Sequence, residues 1–129
     1  LIPNDVSMIC MPALSITPQL GGGPVPQIAI STAKRSELLP GVPTLKEAGV
    51  DVEADAWSGL VGPAGLPAAT IERINHLVNA AITSPTIRTK LSAQLMEPIP
   101  DTPAEFRARI NADIARWKPV IEAAKIKIN

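Results

Sequence analysis

Apolar positions follow two different periods along this chain, and the change from one to the other sets the expected elements. Residues 6–11, with Val6, Met8, Ile9, Cys10 and Met11, form an apolar run of strand length stopped by Pro12. A single helical turn is expected after it, followed by a turn at Gly21-Gly22-Gly23-Pro24. Residues 27–31, carrying Ile28 and Ile30, read as a buried strand with a polar exit at 32–36. In Pro43-Thr44-Leu45-Lys46-Glu47-Ala48-Gly49 the Thr44 hydroxyl can cap free amides while Glu47 reaches back, and Gly49 supplies a left-handed stop. That predicts a helix of one to two turns. Residues 56–63 read as a third strand, in which Gly59 and Gly62 allow a backbone or ligand to come close.

Beyond Pro67 the period becomes helical. Ile71, Ile74, Leu77, Val78, Ala81 and Ile82 share one face, and Pro67 suits a first turn, where a missing N–H costs nothing. Ser84-Pro85 ends that helix and can cap another, in which Ile87, Leu91 and Leu95 form one stripe. Thr102-Pro103-Ala104-Glu105 joins a capping hydroxyl, a proline at the first helical position and a glutamate three residues after the cap. The helix it opens is expected to reach about Ala124 along Phe106, Ile110, Ile114, Trp117 and Ile121. Ile126-Lys127-Ile128 reads as a short terminal strand or extended tail.

Composition narrows the possibilities. Thirty-five of 129 residues are Leu, Ile, Val or Phe, which is enough to drive collapse around a core. Twelve basic and twelve acidic side chains leave no net charge, and with so few aromatic residues this excludes a nucleic-acid binder. The balance is uneven along the chain: residues 1–55 hold three basic and six acidic groups, residues 56–129 nine and six. No run approaches the roughly 18 apolar residues that cross a bilayer, so no direct membrane insertion is expected. The start at Leu1, without the basic and apolar pattern of a secretion signal, points to a true start removed by processing or truncation. Cys10 cannot form an internal disulfide and is expected as a small buried hydrophobe.

Chemistry-bearing residues are few. The one histidine, His76, falls off the apolar stripe beside Glu72 and Arg73 and reads as a solvated helix residue. One histidine and one cysteine do not make a zinc set, so neither metal nor cofactor is expected. The glycine run lacks the Lys-Ser or Lys-Thr of a phosphate cradle. Trp117 continues a helix stripe and is assigned to packing, whereas Trp57 stands where charge and texture change and is assigned first to hinge or core packing, then to ligand contact. No nucleophile and base pair is nominated, so the chain is not read as an enzyme.

Thr32-Ala33-Lys34-Arg35-Ser36-Glu37-Leu38-Leu39-Pro40-Gly41-Val42-Pro43-Thr44-Leu45-Lys46-Glu47-Ala48-Gly49 resembles the TSAKRSPLLPDVPTVAEAG segment of Bug-type solute-binding proteins, the extracytoplasmic receptors of tripartite tricarboxylate transporters. Trp57-Ser58-Gly59-Leu60-Val61-Gly62-Pro63-Ala64-Gly65 is similar to that family's WYGLFAPAG, and the order continues through Glu97-Pro98, Thr102-Pro103-Ala104-Glu105-Phe106 and Ile114-Ala115-Arg116-Trp117. The resemblance covers nearly the whole chain and about the last two-fifths of a family member.

It implies an α/β fold, the C-terminal part of a two-lobed periplasmic binding protein of type II-like architecture. Residues 1–55 would belong to the second lobe, and residues 56–129 would supply a hinge strand and the helices completing the first. The implied partners are a small carboxylate ligand and membrane transporter subunits, and the implied place is the periplasm. The ligand-binding residues carried over are Ser7, Met11, Pro12, Ser15, Trp57 and Ser58. Helix N-termini and backbone amides hold an anion without net positive charge on the protein. Ser7 and Met11 stand where the family carries acidic residues, and Leu66 replaces a usual Thr cap. These departures support a second reading, a degenerate remnant or small interaction module without a ligand, whose sheet edges would promote self-association.

Overall fold

The computed structural model describes residues 6–19 and 25–127. Its regular elements are a 3₁₀ helix Ala13–Gln19 and three α-helices: α1 (Ala68–Thr83), α2 (Pro85–Ser92) and α3 (Pro103–Ala123). Two compact units share the chain, one drawing on Leu1–Val61 and Arg88–Glu97, the other on Gly62–Ile87 and Pro98–Asn129.

The expected α/β class is corrected by these elements. Among the described residues there is no sheet, and the isolated bridge is a parallel pairing of Ile30 with Thr44. Residues 6–11 and 56–63 carry no strand, and of residues 27–31 Ile30 alone joins the bridge. The described residues therefore do not build an α/β lobe of a two-lobed binding protein. The reason lies in the backbone: a strand satisfies its amides only through a neighbouring strand, so an apolar run without a partner stays irregular. Cys10 is corrected for the same reason, being exposed rather than buried. The glycine turn at 21–24 and the last residue of the expected terminal strand, Ile128, lie outside the described residues, and Ile126 and Lys127 are neither helix nor strand.

Local signals fare differently, because their partners are a few residues away. In the first unit, Glu47 N donates to Thr44 Oγ1 (3.1 Å) and Thr44 N donates to Glu47 Oε2 (2.8 Å), a complete capping box on a single helical turn. That turn closes with Gly49 N on Lys46 O (3.1 Å) and Val50 N on Leu45 O (2.9 Å), with Gly49 at φ 89°. This is the two-bond stop that favours glycine. Ile30 N donates to Pro43 O and Leu45 N to Ile30 O (2.9 and 2.8 Å), fastening the turn to the segment before it. Val42 and Thr44 are buried at this junction.

In the second unit, α3 opens on Thr102 with both halves of its capping box and Pro103 in the first turn. α1 opens on Pro67, which has no side-chain cap, so its first amides lack the partner a Thr or Asp would supply. α1 packs on α3. Asn75 and Asn79 each donate a side-chain N–H to Asp101 O (2.9 and 2.8 Å), pinning the middle of α1 to the residue that precedes the α3 cap. Val78 and Ile82 of α1, and Phe106, Ile110 and Trp117 of α3, are half-buried. Ile114, expected on the same stripe, is 59% exposed, and Ile121 is also exposed. The spacing fixes an apolar arc; the neighbouring helix decides which edge of it turns inward. Ile87 is half-buried here, and Leu91 and Leu95 are half-buried in the first unit, while the Ser84 hydroxyl serves the end of α1 by donating to Ala81 O (2.7 Å).

Candidate functional site

The six residues singled out for ligand contact all fall in the first unit, on two segments. Ser7 and Met11 lie before the 3₁₀ helix, and Pro12 and Ser15 meet at its start, where Ser15 N donates to Pro12 O (2.9 Å). The helix forms because Thr17 returns its hydroxyl to Leu14 O (3.0 Å) while Pro12 ends the preceding run. Ser7, Met11, Pro12 and Ser15 are all exposed. Trp57 and Ser58 stand on the second segment, residues 50–63, which has neither helix nor strand. A double tie holds that segment just before Trp57: Ala54 N donates to Ser31 O (2.8 Å) and Ser31 Oγ donates to Ala54 O (2.6 Å). Of the six, the hydrogen bonds bring Pro12 and Ser15 together; Trp57 and Ser58 come from a separate stretch. His76 is exposed, as its place off the stripe predicts.

None of the six carries a charge. Three hydroxyls, with whatever backbone amides lie beside them, can donate to a carboxylate, and the Trp57 ring can cover the apolar part of a small molecule. Of the two arginines in this unit, Arg35 and Arg88, Arg35 is spent on the protein. Its Nε reaches both Glu47 carboxylate oxygens (3.0 and 2.9 Å) and its Nη1 donates to Pro40 O (3.2 Å). The Thr44 amide, followed by the Arg35 side chain, holds the Glu47 carboxyl below its ordinary range. Ser36 closes the same knot, accepting from Leu38 N (3.1 Å) and donating to the Glu97 carboxylate. The segment that carries most of the family resemblance is thus scaffold. Sequence reading found its Thr44, Glu47 and Gly49, and missed Arg35 and Ser31 as fasteners. Their partners stand 12 and 23 residues away, at no helical or strand spacing that a pattern could disclose. Among the described residues no group of His, Cys, Asp and Glu is placed to hold a metal ion, and no helix is long and apolar enough to cross a membrane.

A family model described as the tripartite tricarboxylate transporter family receptor matches residues 1–126. The chain belongs to this family. Curated relatives of the receptor family include a UPF0065 protein from the TAR-I ttuE-ttuC' intergenic region of Agrobacterium vitis, 28% identical over 96% of this chain and 37% of its own length. Protein BugT of Bordetella pertussis is 29% identical over 92% of this chain and 36% of its own length. A UPF0065 protein from the tcbD-tcbE intergenic region of Pseudomonas sp. strain P51 is 26% identical over 79% of this chain and 31% of its own. The chain spans between 31% and 37% of the length of these three relatives.

Proposed function

We propose that this chain is part of a solute-binding receptor that captures a small carboxylate, an organic or amino acid, in the periplasm and presents it to the membrane subunits of a tripartite transporter. The match of the receptor family over residues 1–126 carries the reading. Ser7, Met11, Pro12, Ser15, Trp57 and Ser58 form this chain's share of the binding surface, and the hydroxyls and backbone amides hold the carboxylate. Arg35 takes no part, being committed to Glu47. No bond is made or broken, so the protein is a binder and not an enzyme; affinity comes from desolvated polar contacts and enclosure of the ligand. Because the relatives are much longer, the rest of the binding surface lies outside these residues.

Isothermal titration of the natural gene product with a panel of dicarboxylates and amino acids tests this. One saturable site is expected, weakened about tenfold by Ser15→Ala or Trp57→Ala, equivalent to about 1.4 kcal/mol. A folded protein giving no heat with any member of the panel overturns the reading. The second reading, a degenerate remnant or small interaction module without a ligand, is favoured by the departures at Ser7 and Met11 and by the exposure of the run at residues 6–11, with Met8 at 74%. It predicts the blank titration together with self-association in light scattering.

A further inference from the structure

Ile30 and Ser31 are neighbours that bond to different parts of the chain. Ile30 N donates to Pro43 O (2.9 Å) and Leu45 N donates to Ile30 O (2.8 Å), which ties Ile30 to the capped turn. Ser31 serves another stretch: its carbonyl accepts from Ala54 N (2.8 Å) and its hydroxyl donates to Ala54 O (2.6 Å). In an antiparallel ladder the second of these bonds would come from the Ser31 amide. Here a side chain supplies it, closing a ring of two bonds between residues 23 positions apart. Removing one oxygen atom opens the ring.

Trp57 depends on that ring. Residues 50–63 form neither helix nor strand, so no repeating ladder fixes their course. Trp57 follows Ala54 by three residues, a reach of at most about 10 Å. Ser31, Ala54 and Trp57 all lie in the first unit. Ser31 and Ala54 are half-buried, while Trp57 is 37% exposed and so presents ring surface to a small molecule. The anchor is itself steadied, because the capped turn that holds Ile30 is fastened by Arg35 to Glu47. A contact that stands ready before the ligand arrives avoids ordering the chain on binding, which otherwise subtracts from affinity.

We infer that Ser31 is a positioning residue for ligand capture: through its paired bonds to Ala54 it holds Trp57 where the ring covers the apolar part of a small carboxylate. The inference rests on the receptor reading for the ligand, and Ser31 acts through Trp57 rather than on the ligand. Its test uses the natural gene product with Ser31→Ala, which opens the ring, and Ser31→Thr, which keeps the hydroxyl. The dicarboxylate or amino acid that binds in the titration above should lose about tenfold in affinity with Ser31→Ala and less than about twofold with Ser31→Thr. Thr102→Ala, which loses a cap in the other unit, is the reference for lost stability and should leave affinity unchanged. In a Trp57→Ala background Ser31→Ala should cost less than it does alone, because the group it positions has gone. Fluorine NMR of protein carrying 5-fluorotryptophan reads the placement without ligand. The Trp57 line, assigned by its absence in Trp57→Phe, should shift or broaden in Ser31→Ala and return in Ser31→Thr.

Unchanged affinity in Ser31→Ala overturns the inference, as does the same fold-loss with Trp57 already removed, or an equal loss in Thr102→Ala. Should Ser31→Ala not fold, Ser31→Cys under reducing conditions, of the same shape with a weaker donor, takes its place. The two accounts fail in different ways. A blank titration sinks the receptor reading and this inference with it, whereas ligand binding together with an unmoved Trp57 line in Ser31→Ala sinks the inference alone.

Discussion

Arg35 and Glu47, twelve residues apart, meet side-on through Nε, with both carboxylate oxygens within 3.0 Å. The same carboxylate caps the Thr44 amide, so one side chain joins an ion pair to a helical turn. Removing Glu47 by Glu47→Ala should therefore lower the urea midpoint more than Arg35→Ala does, because it loses the cap as well as the pair. Added salt should weaken the contribution of Arg35 and leave the cap in place. Arg35→Ala also loses the exposed bond to Pro40 O, so equal effects from the two variants would show that the cap contributes no more than that bond.

Acid should loosen the protein in two places at once. Glu47 is held below the ordinary glutamate value of 4.5 by the Thr44 amide and then Arg35, and Glu105 by the Thr102 amide and hydroxyl. A depressed folded-state pKa gives stability that is fully present above the unfolded value and is lost as pH falls through the folded one. Midpoints measured from about pH 6 down to about pH 3 should fall, and a Glu47→Gln, Glu105→Gln double variant should flatten that slope. An unchanged slope in the double variant would contradict the assignment.

The α3 cap predicts a graded series. Thr102→Ala removes the acceptor for the Glu105 amide and should cost about 1 kcal/mol, while Thr102→Ser should retain most of it. Hydrogen exchange at the first-turn amides of α3 reads the loss directly.

Backbone handedness gives a fourth expectation. Lys125 sits at φ 52° where α3 ends, with Lys125 N on Glu122 O and Ile126 N on Ile121 O, the same stop that Gly49 makes. Lys125 is exposed, so Lys125→Gly should stabilise by about 1 kcal/mol, and Gly49→Ala should destabilise by a similar amount. Leu95, at φ 57°, makes the same stop after α2 but is half-buried, so Leu95→Gly loses packing and should gain less.

What could be read in the chain divides by the distance to a partner. The Thr44 turn, the α3 start and the α3 length were legible because cap, proline, glutamate and stop lie within one or two turns of one another. The strands were not, because an apolar run states that it wants a neighbour without naming one. Residues 6–11 and 56–63 have none among the described residues, and Cys10 is exposed with them. Along α3 the spacing grouped Ile114 with Phe106, Ile110 and Trp117, yet the packing against α1 leaves it outside. The candidate site follows the same rule. Pro12 and Ser15 are joined by a local bond, while the Ser31 tie that positions the chain ahead of Trp57 spans 23 residues and left no pattern to find.

Native mass spectrometry of the natural gene product, sprayed with and without an excess of small dicarboxylates and amino acids, puts carboxylate capture to its plainest trial. The receptor account predicts one added ligand mass per chain, needing about tenfold more ligand for the same occupancy on Trp57→Ala. A folded protein that keeps its bare mass across the whole series would contradict it.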